Sequence, residues 1–192
     1  MMQSPSQFIV KPLGGRTYDN IRKYGDKEFI ISSSQEDHTV TNRFAEVVSV
    51  PLNYGGEIVS GDTLVVHHNV FRKYYDMKGR ERSSFSFFRD DVYFIDDQQY
   101  FLYKHDGIWK APDPFCFIEP IKNEDYTLFN ANLENHMEMG LVGKMRYINS
   151  ELESFGLIEG DTVSFQPDSE YAFTIEGEKL YRMRTMNICI QV

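Results

Sequence analysis

The sequence predicts an all-β protein made of two tandem copies of one small β-domain. Short runs rich in β-branched and aromatic residues recur along the chain, bounded by Gly, Asp or Asn, as strand ends usually are. Helical signals are few. Four blocks of sequence also return in the same order. Phe8–Leu13 returns as Cys116–Ile121, offset 108, and Phe44–Val50 as Val142–Ile148, offset 98. Gly61–Val66 returns as Gly160–Phe165, offset 99, and Phe94–Phe101 aligns with Thr174–Tyr181, offset 80.

Taken in order, the expected strands are Gln7–Lys11, Phe44–Val50, Thr63–His67, Asp91–Ile95 and Tyr100–Lys104 in the first copy. The second copy supplies Phe115–Glu119, Gly143–Ile148, Thr162–Gln166, Ala172–Ile175 and Leu180–Arg184. Gly177 between two glutamates reads as a hairpin turn, because glycine reaches positive φ without steric cost. Many short strands with regular turns suggest barrels or sandwiches. The copies join at Ala111-Pro112-Asp113-Pro114, which gives domains 1–111 and 112–192. Two prolines hold that join extended, and it is too short to be a free linker. The falling offsets mark two insertions in the first copy. One lies in the long loop 14–43 and is ten residues longer than its counterpart. The other, 70–88, adds about nineteen residues.

Composition limits the function. A net charge of −9 argues against a phosphate-binding surface, which needs clustered Lys and Arg. No apolar run approaches the ~20 residues of a spanning helix, and the N-terminus lacks a basic and then apolar signal region. Cys116 and Cys189 fall in apolar runs and read as buried free thiols, which fits a reducing, cytoplasmic setting.

The order of blocks resembles the GroES-like co-chaperonin family. An opening Phe-Ile-Val-Lys-Pro strand is followed by a long polar loop holding an apolar triplet. A strand ending Glu46-Val47-Val48-Ser49-Val50 follows, then a Gly-Asp-Thr-Leu-Val-Val strand, a hairpin and a closing strand. The stretch from Ile175 to Ile190 is similar to the family's last hairpin and closing strand. No single motif is specific; the constellation carries the resemblance, and it covers nearly the whole chain twice.

The resemblance implies two irregular β-barrels and self-association into a ring that caps a GroEL-like chaperonin. Binding would run through an apolar tripeptide in a mobile loop, here Phe29, Ile30 and Ile31 within a polar stretch. The other reading of that triplet is an ordinary strand packed on the barrel. In the second copy, Leu128 and Phe129 are a weaker candidate contact; packing between the domains is the alternative. The insertion 70–88 is basic and aromatic within an acidic chain. Its composition admits single-stranded nucleic acid, but a hairpin turning at Lys78-Gly79-Arg80, with Phe85 and Phe87 packed inward, fits its pattern better.

No catalytic constellation is apparent. His67 and His68, on a strand, would point to opposite faces and not share an ion. His38, His105 and His136 have no ligand-like spacing, and no phosphate-cradling loop or nucleophile elbow occurs. Asp90-Asp91 and Asp96-Asp97 read as strand-end caps. The expectation is therefore a non-enzymatic protein without metal or cofactor, with no nucleic-acid or membrane partner. The rival expectation is a structural or assembly protein, such as a virion or scaffold component, on the same barrel.

Overall fold

The computed structural model describes residues 2–19, 21–25, 27–30, 40–122 and 138–189. It divides into two compact units, Met1–Ile108 and Trp109–Val192. The first contains β1 (Phe8–Pro12), β2 (Ile21–Tyr24), β3 (Lys27–Ile30), β4 (Phe44–Ser49), β5 (Thr63–Val66), β6 (Lys73–Tyr75), β7 (Glu81–Ser83), β8 (Phe87–Arg89), β9 (Val92–Ile95) and β10 (Tyr100–His105). After β11 (Ile108–Lys110) come β12 (Phe115–Lys122), β13 (Glu138–Tyr147), the short helix α1 (Ser150–Ser154), β14 (Thr162–Phe165), β15 (Tyr171–Ile175), β16 (Glu178–Arg184) and β17 (Ile188–Cys189). The fold is all-β, with curled sheets. All ten strands expected from sequence are present, with ends shifted by a few residues.

The first sheet runs β11-β10-β5-β4-β1-β9-β8 and the second β17-β14-β13-β12-β16-β15. Leaving β11 aside, both have the same strand order. The registers agree as well. Ile9 pairs with Ser49 and Val10 with Val47; Phe117 pairs with Tyr147 and Ile118 with Met145. Both ladders shift register between those two residues of the opening strand, so an irregularity recurs at the same place. Ala45 pairs with Leu64, and Gly143 with Val163. These pairs carry offsets of 108, 98 and 99, the values read from the first three sequence blocks.

The fourth block is placed differently. Tyr93 pairs with Val10, and Tyr181 with Ile118. Beyond the turn, Gln99 accepts from the amide of His67 and Asn187 from that of Gln166, both at 2.9 Å. The matching offset is therefore 88 and not 80, and the extra length of the first unit before β9 is eleven residues, not nineteen. The strand equivalent to β16 is β9, and β15 corresponds to β8. The sequence match at 80 arose because two acid-rich reversals, Asp96–Gln98 and Glu176–Glu178, each join apolar strands. They lie on non-equivalent hairpins.

The turns before β5 and β14 are built alike. Gly61 and Gly160 take φ of +97° and +92°, values that favour glycine. Each donates 2.8 Å to the second strand, at the carbonyls of Val47 and Met145. Each following aspartate accepts from a backbone amide three residues upstream, Asp62 from Val59 at 2.8 Å and Asp161 from Ile158 at 2.9 Å. The carboxylate thus closes the turn that feeds the strand.

The cores match position by position. Phe8, Val10, Val47, Ile58, Leu64, Val66 and Ile95 cluster in the first unit. Their equivalents Cys116, Ile118, Met145, Leu157, Val163, Phe165 and Met183 cluster in the second. One substitution pair shows how the packing is kept. Val10 and Ala45 in the first unit become Ile118 and Gly143 in the second, with the same number of side-chain carbons. A Cβ on Gly143 would lie 2.2 Å from Ile118 Cγ2 and 2.8 Å from the Glu119 carbonyl oxygen. The Cγ2 methyl of Ile118, a branch that valine shares, occupies the space that an alanine methyl would need.

Gly143→Ala should therefore cost about 1–3 kcal/mol by overpacking. Adding Ile118→Val should not recover that loss, because valine keeps the Cγ2 methyl and the Glu119 carbonyl stays in place. Urea unfolding of the two variants checks this. A neutral Gly143→Ala would contradict the close approach of Ile118 and Glu119 to this position.

Candidate functional site

The region between β1 and β4 holds the apolar triplet. Its neck is pinned by Asn42, whose side-chain amide donates to the carbonyls of Leu13 at 2.9 Å and Arg16 at 2.8 Å. The same side chain accepts from the Phe44 amide at 2.9 Å, at the start of β4. Backbone bonds from Asp19 to Val40 and from Asn42 to Thr17 close the two sides of the neck. A cavity of about 400 Å³ opens at this base, beside Tyr18, Ile21 and Phe44.

Above the neck, part of the expected loop is a hairpin. β2 and β3 pair antiparallel, Tyr24 with Lys27 and Ile21 with Ile30, beside Gly25 at φ +61°. Phe29 and Ile30 therefore lie in a strand, the alternative that the sequence left open for the triplet. The strand belongs to a separate two-stranded sheet, not to the seven-stranded one. Phe29, paired with Arg22, is 50% exposed and does not join the core. A two-stranded sheet alone is marginal in water, so the neck contributes much of what holds it. Ile31 lies outside the described residues, as do Leu128 and Phe129.

The insertion 70–88 holds a second hairpin, β6–β7, again a sheet of its own. Its turn spans Asp76–Arg80: the Gly79 amide donates to the Asp76 carbonyl at 2.8 Å, and the Asp76 amide to Arg80 at 2.9 Å. The Asp76 carboxylate accepts from the amides of Lys78 and Arg80 and from the Nε atoms of Arg80 and Arg82. The Arg80 amide leads in holding this carboxyl below its usual range. Lys73 pairs with Glu81 at 2.8 Å. Much of the positive charge that suggested nucleic acid is thus used to fasten the hairpin. The Lys73 amide also donates to the Tyr18 hydroxyl at 2.8 Å, tying the start of this hairpin to the neck below β2. Phe85 and Phe87 do not pack inward: Phe85 is fully exposed, and Phe87 is partly exposed on β8, at the edge of the main sheet.

Two other expectations change. β5 ends at Val66, so His67 and His68 are not on a strand, and their rings lie 4.2 Å apart instead of facing away. His67 Nδ1 accepts from the Asn69 amide at 3.1 Å. Among the described residues no three His, Cys, Asp or Glu side chains gather as a metal site would require. Cys116 is buried and Cys189, on β17, is exposed; both are free. Asp96 accepts from the Gln98 amide at 2.9 Å, a turn cap as expected. No helix among the described residues is long and apolar enough to cross a membrane.

The sequence matches no protein-family model and no curated protein.

Burial pushes the Cys116 thiol up to about 12, which removes the reactive thiolate at neutral pH. A thiol reagent at pH 8 should therefore label Cys189 in the native chain and reach Cys116 only on unfolding. Peptide mapping by mass spectrometry checks this; equal labelling of both would contradict the placement of Cys116 in the core.

Proposed function

We propose that the chain is a tandem co-chaperonin: two GroES-like irregular barrels that assemble into a ring and cap a GroEL-like chaperonin. On this reading it acts in the cytoplasm, without catalysis, metal or cofactor, and nucleotide hydrolysis belongs to the chaperonin. The observation that carries the proposal is Phe29. It is a half-exposed aromatic on a small hairpin set apart from the main sheet, at the place where the resemblance puts the chaperonin-binding tripeptide. The recurrence of strand order and register in both units supports the duplicated fold that the proposal needs.

The physics of such a foot is simple. Phe29, Ile30 and Ile31 would each contribute about 1.5–3 kcal/mol if fully removed from water. Ordering the segment on binding offsets part of that gain. Weak contacts repeated around a ring give avidity and still release when the chaperonin changes state. Leu128 and Phe129 would be the second unit's contact.

Phe29→Asp and Ile30→Asp should each abolish co-sedimentation with a chaperonin ring plus nucleotide, because a carboxylate would be desolvated and unpaired in an apolar groove. The melting temperature of Phe29→Asp should move by no more than about 2 °C, as for an exposed surface site. Undiminished co-sedimentation of both variants would remove the triplet as the binding site. Failure of the unaltered chain to bind any chaperonin would favour the structural or assembly reading.

A further inference from the structure

We propose that a cleft beside the β6–β7 hairpin binds a carboxylate carried on an aromatic or apolar body. The cavity measures about 500 Å³ and is lined by Asn69, Arg72, Tyr74, Phe85, Ser86 and Gln99. All of them belong to the first unit. The inference is independent of the proposed chaperonin contact and uses none of its residues.

Polar groups give the first argument. Arg72 Nε is buried and has no hydrogen-bond partner. A buried donor left without an acceptor is costly, and such groups in folded proteins ask for an explanation. The hairpin's own carboxylates are engaged elsewhere, Asp76 with Arg80 and Arg82, and Glu81 with Lys73. Ser86 is buried, and its hydroxyl oxygen accepts from Gln99 Nε2 at 3.1 Å, which leaves the hydroxyl hydrogen to donate. The Gln99 side-chain oxygen, Oε1, accepts from the Asp96 amide at 3.1 Å, and the Ser84 hydroxyl donates to the Val70 carbonyl at 2.6 Å. Gln99 Oε1 and the Ser84 hydroxyl hydrogen are thus engaged, while the Arg72 guanidinium and the Ser86 hydroxyl hydrogen, on residues that line the cavity, remain to be used. A ligand that brings acceptors and negative charge fits.

The second argument is apolar. Phe85 is wholly in water and Tyr74 is partly so, and both line the same cleft. An aromatic side chain held out in solvent gains when another apolar group covers it. A single guanidinium with a planar fork suits a planar carboxylate. The segment 70–88 contains five basic and two acidic residues within a chain of net charge −9, so its field also favours an anion.

The test is a two-dimensional NMR titration of the isotope-labelled full chain at low salt. The free-acid probe is phenylacetate, with phenylacetamide as neutral isostere. The chain-borne probe is the blocked tripeptide Phe-Glu-Phe, with Phe-Gln-Phe as isostere. At least one acid probe should give saturable shifts at the amides of Arg72, Phe85 and Ser86. Its neutral isostere should bind about tenfold more weakly, as loss of a charge-assisted bond would dictate. Arg72→Gln should weaken the acid probe about tenfold, and Arg72→Lys, which keeps the charge but loses the fork, by a smaller factor. Phe85→Ala, a surface change that leaves the fold intact, should weaken it about fivefold. Saturation by the tripeptide alone identifies a partner polypeptide's acidic side chain as the ligand, and saturation by phenylacetate alone identifies a small free acid. The proposal is overturned if neither acid saturates these shifts by about 10 mM, if the neutral isosteres bind as well, or if both Arg72 variants bind undiminished.

Discussion

Each unit is organised by its opening strand, hydrogen-bonded along both edges. β1 lies between β4 and β9, and β12 between β13 and β16. Both contain a proline, Pro12 and Pro120, placed beyond the stretch that is paired on both sides. Proline has no amide hydrogen to give a second neighbour. Pairing with β9 and β16 covers Phe8–Val10 and Phe115–Ile118, whereas pairing with β4 and β13 continues through the proline. Val10 and Ile118 stand at the crossing of both ladders, fully buried, and the matched cores gather around them. Elements placed between the framework strands, β2–β3 and β6–β7, make sheets of their own and leave that framework unchanged.

The framework was legible in the sequence because its signals are redundant. Burial against one core imposes alternation, and the Gly-Asp turn needs both a positive φ and a carboxylate cap, so three blocks keep the same register in both units. The last block was misread because a hairpin reversal needs only a few polar residues, and two non-equivalent reversals look alike. The match at 88 pairs Val92-Tyr93 with Leu180-Tyr181, too short to stand out. The candidate foot was half legible. Its apolar triplet was visible, but β2 was not, although Tyr24-Gly25-Asp26-Lys27 carries a two-residue turn signal of the Gly-Asp kind. Phe85 was misplaced because alternation in a short aromatic run cannot say which face meets a core. The cleft at Arg72 had no sequence signal, since it depends on which carboxylates the neighbouring cations take.

The two added hairpins are fastened in different ways. β2–β3 rises from a neck closed by Asn42, a side chain that serves three backbone groups at once. β6–β7 is held by its own charges, with one aspartate gathering two amides and two guanidinium groups. Exposed ion pairs contribute little singly, and the backbone amides donating to Asp76 are what fix the turn. The Tyr18 hydroxyl accepts from Lys73, so the bases of the two hairpins are joined. Both present aromatic surface to solvent, Phe29 on one and Tyr74 and Tyr75 on the other. Part of the exposed aromatic surface thus lies on segments outside the repeated framework.

The central claim is that one β-domain occurs twice with equivalent strands, and residue-resolved amide hydrogen exchange on the full chain tests it most directly. The account predicts slow exchange in both opening strands and in the strands that flank them. Protected amides should then fall at positions related by offsets of 108, 98, 99 and 88, and β16 should be protected like β9. Slow exchange confined to one unit, or protection in β15 with fast exchange in β16, would contradict the account.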